Sequence, residues 1–467
     1  MKTLYIYDSV QKSKLEFVPM QNKSVKIYIC GPTVYDDAHL GHARSAIAFD
    51  LLHRVLLING YSVQIAKNIT DIDDKIIKKM ADTKKSLEEI TKFYTSSYER
   101  DMSSLNILPS SITPYATQNL EAMIEMISTL LNKDMAYIID DGVYFDTSKD
   151  PKYCSLSLKC EDESSNISRI EQNTQKRNPR DFALWKFTKE GVKYSSPFGE
   201  GRPGWHIECS AMINKHLNTQ DLPYHVDIHG GGADLLFPHH ENEAAQTRCA
   251  TNKELAKYWM HNGFVTIDGQ KMSKSLGNSF FIKDITPLYH SELVRFYMMS
   301  VHYRNDLSFN EIDLLSSKKR LDRLYRVKKR VNIDISQALY QDSSIYNELL
   351  VALNDDLNIS IALSIIDEYI SKLNDILDQK QKPNPKELNA TFKLIQDLLG
   401  IGGLDPYEYF QFGISKEDKA KIQNLIDLRA EAKKDRDFDK ADDIRDELIL
   451  MGVNIMDTPK GTVWELA

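Results

Sequence analysis

Short apolar runs alternate along this chain with longer stretches in which apolar residues recur every three or four positions. Val25 to Ile29 is such a run, β-branched and aromatic, and reads as a buried strand. Cys30-Gly31-Pro32 ends it, because proline cannot donate to a ladder and glycine permits a sharp turn. His39-Leu40-Gly41-His42 then opens an amphipathic pattern that continues through Ala46, Phe49, Leu52 and Leu56. A second strand, Tyr61 to Ala66, leads to Asn68-Ile69-Thr70-Asp71-Ile72-Asp73-Asp74-Lys75 and a helical pattern from Ile76. Asp71, Asp73 and Asp74 suit the cap and dipole of that helix. The rhythm pauses over 83–135, which is helix-rich, and over 136–200, where short strands flank a polar stretch from Lys159 to Arg180. It resumes at Gly204-Trp205-His206-Ile207-Glu208-Cys209-Ser210. A strand follows over Tyr224 to Ile228, then His229-Gly230-Gly231-Gly232, and a helix begins near Pro238.

The predicted fold class is α/β: a Rossmann-like nucleotide-binding domain split by an inserted connective segment, then an all-helical region and a small C-terminal module. The expected boundaries are a β lead-in over 1–24, the two halves of the catalytic domain over 25–135 and 201–270, and the insertion over 136–200. A Lys-Met-Ser-Lys-Ser loop and stem-contact region follows over 271–313, a helical bundle over 314–405 and the terminal module over 406–467.

Composition narrows the class. A hydrophobic content of 42% supports packed cores. No apolar run approaches the ~20 residues of a membrane span, so no membrane partner is expected. An acid at position 8 comes too early for a secretory signal. Five cysteines give no disulfide framework in 467 residues and point to a reducing cytoplasm, with Cys154 and Cys160 read as unligated thiols. The net charge of −8 excludes a uniformly cationic protein, but nucleic-acid binding depends on local patches. One such patch is the basic helical stretch from Ser316 to Arg330, where Lys318, Lys319 and Arg320 suit phosphate contacts. A solvated helix face is the other reading of it.

Candidate chemistry gathers at the predicted strand ends. Glu243 follows His239 by four residues, so both share one helix face. Thiols at element ends, Cys30 and Cys209, can complete a Cys₂HisGlu zinc set. Spacing alone leaves open a polar helix start that holds no metal. His240 reads as a solvated or capping residue. His229 precedes a triple glycine where backbone can approach a ligand. Downstream, Lys271-Met272-Ser273-Lys274-Ser275 is a cationic loop beside a glycine turn, suited to the charge that grows on a leaving pyrophosphate.

His39-Leu40-Gly41-His42 and Lys271-Met272-Ser273-Lys274-Ser275 together resemble the two signature motifs of class I aminoacyl-tRNA synthetases, with Leu40 where the first motif usually has Ile. Cys30 through Asp36, Asn68 through Lys75, Gly204 through Ser210 and His229 through Glu243 are similar to the cysteinyl-tRNA synthetase family in order and spacing over essentially the whole chain. The resemblance implies a zinc ion, one per subunit, on Cys30, Cys209, His239 and Glu243. It implies Gly31, Thr70, Trp205 and His229 around the amino acid, His39 and His42 on the phosphates of ATP, and Lys271 and Lys274 on the pyrophosphate. Mg²⁺ is expected with ATP, and ATP, L-cysteine and tRNA(Cys) are the implied partners of a cytoplasmic monomer. The C-terminal module becomes the expected anticodon reader, with Phe438 stacking on a base and Asp442, Arg445 and Asp457 bonding base edges. Phe438 stands where the family often has Trp. Two other readings remain: a synthetase-like ligase joining cysteine to a small-molecule amine, and an inactive synthetase-like protein that binds tRNA.

Overall fold

The computed structural model describes residues 3–157, 175–219, 221–267, 270–271, 280–458 and 461–466. The chain forms two compact units. Met1–Lys283, Met298–Asn310 and Leu349–Ala362 make the first, and Asp284–Tyr297, Glu311–Glu348 and Leu363–Ala467 the second.

The first unit is built on a parallel sheet. Strand β1 (Ser24–Ile29) is followed by helix α1 (Leu40–Ile58), β2 (Ser62–Lys67) and α2 (Asp74–Thr83). Later in the chain come α3 (Trp205–His216), β3 (Tyr224–Gly232), α4 (Glu241–Thr251) and β4 (Glu254–Asn262). The strand order is β4-β3-β1-β2, every pair is parallel, and Ile27 of β1 lies across from Ile65 on one side and Ile228 on the other. β3 is buried on both faces except at its ends, as parallel strands covered by helices are.

β3 runs four residues beyond the predicted strand, through His229 and the three glycines, because these still pair with Trp259 to Asn262 of β4. The glycines serve close packing: a Cβ on Gly230 would sit 2.3 Å from the Phe49 ring of α1, and one on Gly231 2.7 Å from Leu235. No ligand approach is needed to explain them. α1 differs from expectation too. It is buried around its circumference, charged groups included. Arg44 donates to the carbonyls of Met298, Val301, His302 and Asn305, and Arg54 donates to Asp50 at 2.7 Å. These partners compensate cations that would otherwise be costly to bury.

Of the three acids before α2, only Asp73 caps it, accepting from the Lys75 N–H. Asp71 instead accepts from Thr117 N–H and hydroxyl, and Asp74 pairs with Lys186 and Arg202. The span after the helix Leu120–Asn132 forms a separate antiparallel sheet, Ala136–Ile139, Gly142–Phe145, Phe182–Phe187 and Gly201–Pro203 in that order. Val143, Phe145, Leu184 and Trp185 form its core with Met123, Ile127 and Leu130 of the preceding helix and Ile207 and Ala211 of α3. Cys154 is disulfide-bonded rather than an unligated thiol. Cys160 lies outside the described residues.

The second unit contains helix α5 (Glu311–Arg330), then α6 (Lys416–Lys434), α7 (Phe438–Leu450) and an antiparallel hairpin of β5 (Val453–Thr458) and β6 (Gly461–Leu466). Ile422, Leu425, Ile426, Ile444, Leu448, Val453 and Trp464 make a small core of α6, α7 and hairpin residues.

Candidate metal centre and active site

The strand order reverses between β1 and β3, since the chain proceeds from β1 to β2 on one side while β3 joins on the other. Ligands of open α/β sheets bind at the carboxyl edge of such a switch point. Cys30 follows the last residue of β1 there, and its N–H bonds the carbonyl of Gly230 in β3 at 3.2 Å.

Four predicted ligands converge at this edge. One ligand atom from each of Cys30, Cys209, His239 and Glu243 lies within 4.8 Å of every other. The thiols are 3.8 Å apart, Cys209 Sγ is 3.8 Å from His239 Nε2, and Cys30 Sγ is 3.5 Å from Glu243 Oε1. His239 sits in the turn Leu236–His240 that leads into α4, and its Nε2 meets Glu243 Oε1 at 2.7 Å, as the four-residue spacing requires. Cys209 lies one turn inside α3 rather than at its end. His239 Nδ1 faces His206 Nδ1 at 2.9 Å, and the Trp205 ring stacks on the His239 ring at 4.0 Å and 16°. His239 is thus held by its outer nitrogen and one face, with Nε2 turned to the thiols and carboxylate.

A second set, Cys30, His229, His240 and Glu243, is gathered as closely and shares two members with the first. His240 is therefore no solvated residue. It is fully buried, with Nε2 3.3 Å from Cys30 Sγ and Nδ1 2.8 Å from His261 Nε2.

The electrostatics suit a cation. Burial alone would raise the Glu243 carboxyl, but the His239 and His229 charges hold it well below its usual range. Burial would lower His239, and Glu243 with Cys209 pushes it up to about 10. The Cys209 thiol, against its burial, is lowered to about 7 by bonds to Cys30 and His239. Burial and the neighbouring Cys209 push Cys30 up. An ionised carboxylate, an acidified thiol and a protonated imidazole already occupy one small volume. A metal ion replaces those protons, so its binding releases them.

Around this cluster, Gly31 is fixed by its N–H to Asn68 Oδ1 at 2.8 Å, and a Cβ there would fall 1.6 Å from the Asn68 carbonyl oxygen. Thr70 is buried, donates to Glu208 Oε2 at 2.9 Å and accepts from Asn68 Nδ2. Trp205 is 40% exposed at the start of α3. His229 is wholly buried and bonds inward, with Nδ1 to the Tyr28 carbonyl at 3.0 Å and Nε2 to Glu243 Oε2 at 2.6 Å.

His39 caps α1: its Nδ1 accepts from Gly41 N–H, while His42 Nδ1 accepts from His39 N–H, and the two rings stack at 3.8 Å. This helix N-terminus favours phosphate. Lys271 pairs through its backbone with Thr266, and its side chain lies outside the described residues, as does Lys274. The chain from Phe280 onward is tied to the helix start. Leu40 N–H bonds the Phe280 carbonyl at 3.0 Å, Ile282 N–H bonds the Ala38 carbonyl at 2.9 Å, and Lys283 pairs with Asp37 at 2.6 Å.

The residues expected at RNA lie in the second unit. Lys319 is exposed, Lys318 pairs with Asp322 at 2.8 Å, and Arg320 pairs with Asp367 at 2.7 Å. Phe438 is 62% exposed at the start of α7, where Asp442 and Arg445 are also exposed. Asp457 is engaged internally by Arg429, Lys433 and Thr462, which together hold its carboxyl well below the usual range.

Sequence reasoning missed His206, Glu208 and His261. Two of them stand in the Gly204–Ser210 motif, where the placing of His206 and Glu208 three and one positions before Cys209 was the available signal.

The family described as "tRNA synthetases class I (C) catalytic domain" matches residues 16–319, and "Cysteinyl-tRNA ligase anticodon binding domain" matches 417–464. The chain is 62% identical to the cysteine–tRNA ligase of Aliarcobacter butzleri (strain RM4018), covering 100% of both chains. It is 60% identical to that of a Nitratiruptor species over 99% of this chain and 100% of the other. In fold it resembles a methionyl-tRNA synthetase of Mycobacterium tuberculosis, with a TM-score of 0.59 at 14% identity over 81% of this chain and 92% of that one. With both of its characteristic domains matched and such identity end to end, the chain belongs to the cysteine–tRNA ligases, within class I of the aminoacyl-tRNA synthetases.

Proposed function

We propose that this protein activates L-cysteine with ATP and transfers it to the 3′-terminal adenosine of tRNA(Cys), with a zinc centre that selects cysteine. The convergence of Cys30, Cys209, His239 and Glu243 at the carboxyl edge of the parallel sheet carries the reading. The donor set fits zinc: two sulfurs, one imidazole nitrogen and one carboxylate oxygen, with the imidazole's other nitrogen held by His206. The second set has only one sulfur, so the first is the better match to a soft-ligand site. When bound, zinc supplies a Lewis-acid position that takes a thiolate far more readily than a hydroxyl.

Class I chemistry has two steps. The cysteine carboxylate attacks the α-phosphorus of ATP, forming the acyl–phosphate bond and breaking the bond to the leaving pyrophosphate. The 2′-hydroxyl of the terminal adenosine then attacks the acyl carbon and releases AMP. The nucleophile of the first step is already ionised, so the protein's work is positioning and charge stabilisation. His39 and His42, at the start of α1, are assigned to the phosphates. Lys271 and Lys274 are assigned to the pyrophosphate by their motif, with Mg²⁺ arriving on ATP. Gly31, Thr70, Trp205 and His229 shape the amino-acid pocket, Thr70 and His229 from behind through Glu208 and Glu243. We assign Lys318, Lys319, Arg320, Phe438, Asp442 and Arg445 to tRNA, acting in a cytoplasmic monomer. Asp457 is assigned to positioning β5 through Arg429 and Lys433.

Charging of tRNA(Cys) with labelled cysteine in the presence of ATP tests this. Acid-precipitable label on tRNA is expected. Cysteine activation with transfer only to small amines would make the protein a small-molecule ligase, and tRNA binding without activation an inactive relative.

A further inference from the structure

The second unit contains a pocket of about 430 Å³ that the chemistry above does not use. Its volume lies in the range of small-ligand sites, about 300–1,000 Å³. One wall is α5, whose Lys318, Asp322, Arg326 and Lys329 recur at three- and four-residue intervals and share a face. Tyr409, Phe410, Phe412 and His290 also line the pocket.

The charges in the pocket are unevenly satisfied. Asp322 accepts from Tyr409 at 2.8 Å and pairs with Lys318, and Glu465 pairs with Lys329. Each carboxylate therefore has its own cation. Arg326 has no carboxylate partner among the described residues: it is exposed and rests over the Phe410 ring at 5.8 Å. His290 Nδ1 accepts from the Glu292 N–H at 3.1 Å, and burial lowers its pKa, so the neutral ring carries its proton on Nε2. That N–H has no acceptor among the described residues. The ring itself stands 5.5 Å from Tyr409 and 5.2 Å from Phe412. An unmatched guanidinium beside partly exposed aromatic rings and a spare donor matches a phosphate joined to a planar base.

We propose that this pocket binds one unstacked nucleotide, its phosphate on Arg326 and its base against Phe410, Phe412 and the His290 N–H. The nucleotide is either part of a bound RNA or free. The RNA source rests on the function proposed above, and the free source does not.

Equilibrium dialysis of GMP against the full-length protein, with the catalytic site filled by one equivalent of a non-hydrolysable sulfamoyl analogue of cysteinyl-adenylate and no other free nucleotide, tests the pocket. Arg326→Glu removes the phosphate partner. Arg323→Glu, on the same helix but outside the pocket lining, controls for general charge. Saturable GMP binding is expected, weakened at least ~10-fold by Arg326→Glu and not by Arg323→Glu. Ribose 5-phosphate, which lacks the base, is expected to bind about 5–100-fold more weakly than GMP. If the source is RNA, Arg326→Glu also raises the KM for tRNA(Cys) in charging while cysteine-dependent ATP–pyrophosphate exchange stays at the wild-type rate. An unchanged tRNA KM with lost GMP binding identifies a free nucleotide. Equal GMP binding by wild type and Arg326→Glu, or equal binding of GMP and ribose 5-phosphate, overturns the proposal. Failure of exchange in the wild type would refute the ligase reading and leave the GMP result standing.

Discussion

Each nitrogen of the His239 ring has a different task. Nε2 faces Cys209 and Glu243, while Nδ1 is held by His206, itself half-buried beside Phe182. A partner on the outer nitrogen fixes the orientation of a ligand ring, and its removal typically costs 10–100-fold in metal affinity. His206→Ala is therefore expected to weaken zinc binding by about that factor with all four ligands intact, measured by competition with a chromogenic chelator. Wild-type affinity in the variant would remove His206 from the centre. Among the candidate ligands, His239 and Glu243 were legible because their four-residue spacing has a geometric meaning, and Cys30 and Cys209 through their places near element ends and the family resemblance. The sequence did not make His206 or His240 legible. Pro-His-His-Glu-Asn-Glu has the polarity of a solvated helix start, and burial of such residues depends on what packs over them, here Trp259 and His261 for His240.

At the scale of elements, β3 bears a cost that is independent of the metal. His225 is wholly buried in it, with Nε2 3.1 Å from Thr251 Oγ1 and Nδ1 without a partner among the described residues. Burial, and secondarily Lys253, depress its pKa from 6.5 to about 4. The unfolded chain then binds the proton more readily. The neutral ring is tolerated in full above pH 6.5, and stability falls as pH drops through the window down to about 4. The loss attributable to this group is up to about 3 kcal/mol. His225→Gln is expected to flatten the urea-unfolding free energy across that window relative to wild type. Parallel curves would show that His225 does not titrate with folding. The order of strands and helices around β3 was readable from periodicity. The all-round burial of α1 was not, since Arg44 and Asp50 look like an outer face until their partners, the carbonyls near 300 and the Leu108 N–H, are brought in by the fold. The short strands that open the span 136–203 were readable, but their assembly into one antiparallel sheet was not, because Gly142–Phe145 pairs with Phe182–Phe187 across a polar stretch that carries no strand signal.

At the scale of the molecule, the centre is a long-range product of folding. Its candidate ligands come from the end of β1, from α3, and from α4 with the turn before it, so residues between positions 30 and 243 must assemble before the four side chains meet. Selecting cysteine over serine by packing alone yields only ~10–200-fold, whereas a site that bonds the distinguishing group reaches 10⁴–10⁵. That contrast isolates the central claim, and the ratio of cysteine- to serine-dependent ATP–pyrophosphate exchange measures it, before and after zinc is removed from protein that stays folded by circular dichroism. The account predicts a ratio on the order of 10⁴ or more with zinc, collapsing to about 200 or less without it, and restored by zinc. An unchanged ratio in the metal-free protein would contradict it.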